Sequence, residues 1–330
     1  MSLLTPTPAG LYCPIGDFYI DPCRQVERAI ITHAHSDHAR RGCRHYLAAR
    51  PSRDLLRQRL GKRANIETLR YGETVNHRGV RVSLHPAGHI LGSAQVRLEY
   101  AGEIWVVSGD YKLQPDPTCE PFEPIRCDVF CTESTFGLPC YRWPPPQDEI
   151  ARLEQWWQAN QRRHTTSIVL AYSIGKAQRI LASIHAELGP ILVHPTVAQH
   201  LEAYRASGVR LPRVRRVDDP LAVLHKGRAL ILAPPAGRRG NWWWPFRPCA
   251  WALASGWIQR PRSPLNRFPD YDGYAPACST GFVLSDHADW PGLQQAVEWT
   301  GARTVWVTHG YTEAFAAWLR ETGRTTVILE

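Results

Sequence analysis

The chain has 330 residues, of which 44% are hydrophobic and 21% charged, with a formal net charge of +9 and a sequence pI near 9.2. It is long for one domain, and its composition is that of an ordinary globular protein, which excludes extensive disorder. The positive charge favours a polyanionic partner, either a nucleic acid or an acidic membrane surface, without choosing between them.

No apolar stretch approaches the roughly 20 residues that a membrane-spanning helix needs, and the N-terminus lacks a secretory signal pattern. The nine cysteines are scattered and never spaced as Cys-x-x-Cys, which indicates reduced, mostly buried side chains rather than a disulfide framework or a zinc ribbon. We therefore expect a cytoplasmic protein that does not associate with a membrane.

The first third of the chain has the pattern of a sheet. An apolar run at 29–32 predicts one strand, alternation at 80–84 and 94–100 predicts two more, and the apolar run 104–107 predicts a fourth. Leucines at helical spacing within 52–63 predict a helix between the first two strands.

After the proline-rich segment 143–146 the pattern changes to helices that alternate with strands, which indicates a domain boundary and a small parallel α/β insert. The predicted elements of this insert are helices near 150–157 and 177–188 and strands at 167–171, 191–193 and 229–232. The first domain is expected to resume with a strand at 282–284, a helix at 291–299 capped by Asp289 and ended by Gly301, and a strand at 304–307. The predicted domains are therefore 1–140, an insert at 141–278, and a closing part at 279–330.

Four residues of metal-binding type fall within six positions directly after the first strand: His33, His35, Asp37 and His38. Because alternate side chains of a tight loop point to different sides, His33 and His35 can bind one ion while Asp37 and His38 bind another. Imidazole with carboxylate suits zinc, manganese or iron(II). The run therefore predicts two metal sites, with a solvated polar turn as the alternative.

Further candidate residues follow other predicted strands. His89, Asp110 and His309 each stand just after a strand, and we expect these strands to belong to one sheet and to bring their ends to one edge. Glu133 and His287 occupy the same kind of position and are predicted as an acid/base pair, in which the carboxylate orients an imidazole that protonates a leaving oxygen. A helix or turn cap is the alternative for Glu133. Together these residues predict a two-metal phosphodiesterase.

These motifs resemble those of the metallo-β-lactamase superfamily over nearly the whole chain. The run His-Ala-His-Ser-Asp-His at 33–38 is similar to the second motif of that superfamily. His89 in Gly-His-Ile-Leu-Gly is similar to its third motif, and Asp110 in Ser-Gly-Asp to its fourth.

Glu133, His287 and His309 resemble motifs A, B and C of the β-CASP nuclease branch of this superfamily. The resemblance implies an α/β fold, a metallo-β-lactamase αββα sandwich with an inserted β-CASP α/β cap domain. It also implies two divalent ions, zinc or manganese, about 3.5 to 4 Å apart, that activate a hydroxide for phosphodiester hydrolysis. The implied ligands are His33, His35 and His89 for the first ion and Asp37, His38 and His309 for the second, with Asp110 bridging. The residues expected to take part in the reaction itself are Asp37, Asp110, Glu133 and His287.

Segments 10–14, 254–257 and 281–290 resemble more specifically the bacterial ligase-associated DNA exonucleases. By analogy this implies a DNA repair exonuclease that acts on single-stranded DNA or on a free end. Its partners would be an ATP-dependent DNA ligase, an Lhr-type helicase and a metallophosphoesterase. The run Trp-Trp-Trp-Pro-Phe at 242–246 departs from that family by its aromatic content.

Two segments of the insert are predicted to contact nucleic acid. At 172–176 a strand turns into a helix, so Ser173, Lys176 and free backbone N–H groups would bind a phosphate, with a plain helix start as the alternative. At 238–247 cations accompany three adjacent indoles, which suits backbone contact by Arg239 and base stacking by Trp243. Packing within the cap is an equally weighted alternative for this segment.

The main hypothesis is thus a DNA exonuclease. An RNA-processing ribonuclease of the same branch has an almost identical ligand set, so the site residues do not separate the two. Small-molecule hydrolases of the superfamily are disfavoured because they lack the cap and motifs A to C. A catalytically inactive nucleic-acid-binding subunit is the non-enzyme alternative, against which the full ligand set argues.

Overall fold

The computed structural model describes residues 2–259 and 280–329; the expected boundary at 278/279 and Cys278 lie outside these ranges. The chain divides into two compact units, the first formed by Met1–Pro139 and His287–Glu330 and the second by Cys140–Asp286. The chain therefore leaves the first unit once and returns to it. No helix within 2–259 and 280–329 is long and apolar enough to cross a membrane.

The first sheet of the first unit has six strands that follow one another in sequence order. They are β1 (Thr5–Thr7), β2 (Gly10–Cys13), β3 (Phe18–Ile20), β4 (Arg28–Ile31), β5 (His45–Ala49) and β6 (Ile66–Leu69), with the helix α1 (Arg53–Leu60) after β5. Strands β1 to β3 pair antiparallel, and β3 to β6 pair in parallel. Leu55, Leu56 and Leu60 of α1 are buried, as their helical spacing predicts.

The second sheet begins with β7 (Thr74–His77), β8 (Val80–Pro86), β9 (Ala94–Tyr100), β10 (Glu103–Val107) and β11 (Val129–Ser134). Strands β7 to β10 are antiparallel neighbours, whereas β10 and β11 pair in parallel. Trp105 and Val107 of β10 enter a core cluster shared with Ile20 and Ile30 of the first sheet, and Val106 enters a different cluster. Alternate residues of one strand therefore face a sheet on one side and helices on the other.

The second unit is built on a parallel six-stranded sheet. In chain order its elements are α2 (Pro146–Arg162), β12 (Thr166–Leu170), α3 (Lys176–Ser183), β13 (Ile191–Val193), α4 (Pro195–Ala206), β14 (Arg215–Arg216), β15 (Leu230–Ala233), β16 (Cys249–Ala254) and β17 (Thr280–Phe282). The strand order is β14-β13-β15-β12-β16-β17, with every pair parallel. Ile168 and Leu170 enter one core cluster, and Val169 and Ala171 the other. Both faces of the sheet are covered, which explains why its strands are continuously apolar.

One strand belongs to a different sheet from the one predicted. The sequence analysis assigns the strand near 282 to the closing part of the first domain, but β17 pairs in parallel with β16 in the second unit. This assignment was wrong because an apolar pattern indicates a strand without identifying its partner strand.

The chain returns to the first unit with α5 (Trp290–Thr300), β18 (Thr304–Gly310), α6 (Thr312–Glu321) and β19 (Thr325–Ile328). Strand β18 pairs in parallel with β11 and with β19, which completes a seven-stranded second sheet. The Asp289 side chain accepts a hydrogen bond from the Gly292 amide at 2.9 Å, and Gly301 ends α5 with a φ of 66°, as predicted. Leu293 of α5 and Phe315 of α6 pack in the cluster on the outer face of this sheet.

Trp157 tests the packing of the second unit. Its side chain is fully buried, and its indole N–H donates to the Arg228 carbonyl at 2.9 Å. Because Trp157→Ala leaves a cavity and removes one of the two hydrogen bonds to the Arg228 carbonyl, which also accepts from Gln161 Nε2 at 3.0 Å, we expect it to lower the free energy of unfolding by about 3 to 5 kcal/mol in urea denaturation. Trp299→Ala, at a tryptophan that is 38% exposed, is the control and should cost less than about 1 kcal/mol. Equal losses in the two variants would contradict this account.

Candidate metal centre

The histidine-rich run leaves the carboxyl end of β4, where the first sheet meets the second. The Ala94 amide at the start of β9 donates to the Thr32 carbonyl at 2.8 Å, which joins the two sheets at this edge. His33 is fully buried and His38 is 5% exposed, whereas Asp37 stands at the surface. The run therefore places candidate ligands both in the interior and at the surface.

Two glycines let the ends of β8 and β10 reach the same edge. Gly88 has a φ of 72° and Gly109 a φ of 57°, both in the left-handed region that favours glycine. A Cβ atom at Gly88 would lie 2.3 Å from a carbonyl oxygen, and one at Gly109 would lie 2.7 Å from a threonine side chain. The residues that follow them, His89 and Asp110, are brought to the centre by these turns.

Three imidazole nitrogens converge on one point. His33 Nε2 and His89 Nε2 each lie 3.1 Å from His35 Nδ1. Ligands held at about 2.05 Å around a tetrahedral ion stand about 3.3 Å apart, so this spacing fits a single divalent cation. The donor atoms of these histidines and of Asp110 all lie within 4.8 Å of one another.

The carboxylate of Asp110 stands between two groups of imidazoles. Its Oδ2 lies 3.5 Å from His33 Nε2 and 3.7 Å from His89 Nε2, and its Oδ1 lies 3.5 Å from His38 Nε2. The residue is only 6% exposed. One oxygen facing each group is the geometry of a carboxylate that bridges two ions.

The second group is more open than the first. His38 Nε2 lies 3.9 Å from Asp37 Oδ2, and the His38 and His309 rings are stacked with their centroids 5.6 Å apart. His309 is exposed and has a φ of 54°, an uncommon backbone conformation for a residue with a side chain. Ser134 Oγ donates to the His309 carbonyl at 2.5 Å and holds this turn.

The electrostatics of the histidines suit cations. Burial lowers the pKa of His33 well below its usual value, and neighbouring imidazoles lower it further, so His33 is neutral, the form that binds metal. Burial also lowers the pKa of His38, but the carboxylates of Asp110 and Asp21 outweigh it and raise that pKa to about 10. The two carboxylates therefore favour positive charge at His38, and the donors of His33, His35, His89 and Asp110 form a cluster that can hold a divalent cation.

Asp21 is a residue of the centre that the sequence analysis missed. Its Oδ2 lies 2.8 Å from His38 Nδ1 and accepts from Thr32 Oγ1 at 2.5 Å, while its Oδ1 accepts from the Thr32 amide at 2.8 Å. Such a carboxylate orients the ring of a ligand and fixes its tautomer. The available signal was its position directly after β3, which matches the strand-end positions of the other candidates.

Glu133 and His287 form the expected pair. His287 Nδ1 lies 2.8 Å from Glu133 Oε2 and 3.0 Å from Oε1, and the carboxylate also accepts from the Tyr111 amide and the Thr135 hydroxyl. Burial raises the pKa of Glu133, but His287 and the other donors outweigh it, so this pKa is lowered and the carboxylate is ionised. The His287 and His89 rings lie 4.8 Å apart, next to the first group.

The candidate residues come from both sheets of the first unit. His33, His35, Asp37 and His38 follow β4 of the first sheet, and His287 precedes α5. Four candidates lie at or just after the ends of strands of the second sheet: His89, Asp110, Glu133 and His309. The strands that precede or carry His89, Asp110 and His309 belong to one sheet, as expected. The run after β4 comes from the other sheet, which sequence periodicity does not report.

In the second unit, the predicted phosphate-binding residues contact other protein groups. Lys176 is 3% exposed, with its ammonium 3.2 Å from Asp286 Oδ2, and Ser173 Oγ donates to Thr196 Oγ1 at 3.2 Å. A buried, charge-balanced ammonium is a weaker attractor of phosphate than an exposed one. The phosphate-binding role of Ser173 and Lys176 stays a prediction.

The three adjacent indoles have different environments. Trp243 is half-buried and packs perpendicular to Trp251, with 5.5 Å between ring centroids. Trp244 is 55% exposed, and the Arg247 guanidinium lies 5.6 Å from its ring centroid. Arg239 is exposed. Trp243 therefore packs within the unit while Trp244 is accessible, and nucleic-acid contact by Arg239 and Trp243 stays a prediction.

Comparison with known proteins yields several relatives. The "Probable DNA ligase" of Opitutus terrae is 30% identical over 317 residues, which is 95% of this chain and 30% of that protein. The cleavage and polyadenylation specificity factor subunit 3 of Dictyostelium discoideum and the endoribonuclease YSH1 of Saccharomyces cerevisiae are each 30% identical over 118 residues, 35% of this chain. The chain is a β-CASP metallo-β-lactamase relative. It has the metallo-β-lactamase fold that the resemblance implies.

The share of each relative that the match covers limits what can be inferred from it. This chain spans 30% of the length of the ligase-named protein and 15% of the length of each of the other two relatives. A crystal structure of a protein of unknown function from Enterococcus faecalis V583 matches with a TM-score of 0.62 and 13% identity, over 92% of this chain and 79% of that one, which is a likeness of fold. No family model matches the chain.

The substitution Asp21→Asn tests whether the Asp21 carboxylate orients the His38 ring. Asparagine tolerates the backbone φ of 44° but carries no charge to balance the imidazole, so we expect metal affinity to fall about 10- to 100-fold. The measurement is competition with a chromogenic zinc chelator. Asp17→Asn is the matched control, since Asp17 has a φ of 52° and pairs with Arg28 and Arg78 instead. Equal metal affinities in Asp21→Asn and Asp17→Asn would contradict the proposal that Asp21 supports metal binding through His38.

Proposed function

We propose that this chain is a metal-dependent phosphodiesterase, and specifically a DNA exonuclease that acts on single-stranded DNA or on a free end. The observation that carries the proposal is Asp110, whose two oxygens face two separate groups of imidazoles at 3.5 Å. A bridging carboxylate between two ligand sets is the arrangement that two-metal phosphodiester hydrolysis needs.

In this proposal His33, His35 and His89 hold one ion and Asp37, His38 and His309 hold the other, with Asp110 shared. Two divalent cations, zinc or manganese, would supply charge neutralisation at the scissile phosphate and acidify a water for attack. The buried ligands fix the position of the centre, while the exposed Asp37 and His309 leave its outer side open to a substrate.

His287 is the proposed proton donor to the leaving oxygen. Glu133 binds its Nδ1 at 2.8 Å, which keeps the imidazole in one orientation beside the His89 ring. The ionised carboxylate also stabilises the imidazolium form, so that the proton is held next to the centre until the leaving oxygen takes it.

DNA is favoured over RNA by the ligase-named relative, which aligns with 95% of this chain. A nuclease and a ligase within one polypeptide would act on the same strands, so we infer a repair role beside an ATP-dependent DNA ligase, and by family analogy beside a helicase and a metallophosphoesterase. An RNA-processing role is the second candidate, because one relative is named an endoribonuclease and another a cleavage and polyadenylation specificity factor subunit. The net charge of +9 suits either nucleic acid.

His309→Ala and Asp110→Asn test the centre. Each removes a proposed ligand, so we expect at least a hundredfold loss of DNA hydrolysis, about 3 kcal/mol, with DNA affinity nearly retained, because the backbone phosphate contacts survive. His164→Ala is the control for His309→Ala: His164 is also exposed, has a φ of 51°, and lies in the other unit.

The assay compares end-labelled single-stranded DNA and RNA of one sequence with zinc, manganese or a chelator. Faster RNA cleavage would favour the ribonuclease. DNA binding without hydrolysis under every metal condition would favour an inactive binding subunit and contradict the enzyme.

Trp244→Ala tests base stacking in the second unit. Trp244 is exposed and carries Arg247 over its ring, so its loss should weaken single-stranded DNA binding by about 1 to 3 kcal/mol without lowering stability. Trp243→Ala should also destabilise the fold, because Trp243 packs on Trp251. Fluorescence anisotropy and thermal denaturation measure both effects. Unchanged DNA affinity in Trp244→Ala and Trp243→Ala would reject stacking by this segment.

A further inference from the structure

A cavity of about 600 Å³ lies in the first unit beside the second group of candidate ligands. Its deepest part is apolar and buried, lined by Ile20, Val107 and Cys131. Its rim carries Asp37 and His309, both exposed. The volume lies within the range of about 300 to 1,000 Å³ that is typical of small-molecule sites, and apolar walls with a few polar groups are their usual lining.

The walls of the cavity suit a flat ring with a sugar attached. Pro6 and Leu11 of the β1–β2 hairpin form one wall, and Leu329, which follows β19, contributes another apolar surface. Thr308 and Thr312 also line it, which places hydroxyl groups next to the rim residue His309. The apolar surfaces can cover a base, while hydroxyls near the centre can bind the oxygens of a sugar.

The charges of the lining exclude a second phosphate as the main occupant. None of the described residues that line the cavity is lysine or arginine, and its carboxylates are those of Asp21 and Asp37. Phosphate groups in nucleic-acid complexes are bound mainly by cationic side chains and amides. The cavity therefore suits the uncharged part of a nucleotide rather than its phosphate.

We propose that this cavity binds the nucleoside attached to the scissile phosphate. The inference rests on the proposed function and deepens it. A phosphate held by the proposed cations beside Asp37 and His309 would have its own sugar and base at the rim of the cavity, because both residues belong to the proposed centre and to the lining. A compartment of about 600 Å³ beside the centre has room for a nucleoside and can hold the terminal residue of a strand, which is the substrate of an exonuclease.

Cys23 provides a probe of occupancy. Cys23 is exposed and lines the cavity, whereas Cys140 is exposed in the other unit. Alkylation by iodoacetamide is followed by peptide mass spectrometry on the manganese-loaded chain, with deoxyadenosine 5′-monophosphate, deoxyadenosine 3′-monophosphate or inorganic phosphate. We expect at least one nucleotide to slow alkylation of Cys23 by about fivefold or more, with Cys140 unaffected and inorganic phosphate without effect. Alkylation of Cys23 that neither nucleotide slows, or that phosphate slows equally, overturns the proposal.

A substitution gives a second, independent test. Cys23→Trp places an indole at the cavity, so it should raise KM for single-stranded DNA by about fivefold or more, with kcat within about twofold, because it obstructs binding and leaves the centre intact. Cys140→Trp is the matched control and should leave both constants unchanged. An unaltered KM in Cys23→Trp overturns the proposal. DNA hydrolysis by the parent chain without protection of Cys23 rejects the nucleoside site alone, whereas absence of hydrolysis rejects the proposed function.

Discussion

The carboxylate of Asp110 is the constraint around which the first unit is arranged. It is nearly buried, and its oxygens stand 3.5 Å from His33 on one side and 3.5 Å from His38 on the other. Polar groups removed from water are costly unless each finds a partner. Three converging imidazoles, one of them with a strongly lowered pKa, and a carboxylate beside them are satisfied together by divalent cations. Divalent cations would therefore offset the cost of burying these imidazoles and this carboxylate together.

The backbone around the centre is shaped to bring these groups together. Gly88 and Gly109 accept positive φ where a side chain would collide with neighbouring atoms, and Asp21 and His309 hold positive φ although they carry side chains. Residues in sparsely populated backbone conformations persist only where neighbouring groups stabilise them. Here the Ser134 hydroxyl donates to the His309 carbonyl, and the amide and hydroxyl of Thr32 donate to the Asp21 carboxylate. All four residues stand at or close to the ends of strands of the two sheets of the first unit.

In the second unit, the composition of the segment 238–247 and the packing of its side chains point to different roles. Its aromatic and basic run has the composition of a nucleic-acid surface, yet Trp243 packs on Trp251 and only Trp244 is largely exposed. The buried Lys176 likewise faces Asp286, so a residue selected for its charge contributes to the interior of the unit. Exposure rather than residue type decides which side chains are available to a ligand.

The sequence by itself determined the ligand types, the apolar strands before them, the helix α5 with its cap at Asp289, and the parallel character of the inserted sheet. These features are local, because periodicity, capping and strand-end positions are read within a few residues. It missed Asp21 and attributed β17 to the first domain instead of the second unit. Only the tertiary structure decided that Asp21 meets His38 across 17 positions, and only it gave the distances within the predicted pair of Glu133 and His287 and from Asp110 to both imidazole groups. The reason is physical: a strand's pairing partners are chosen by packing and hydrogen bonds between distant segments, which its own sequence does not encode.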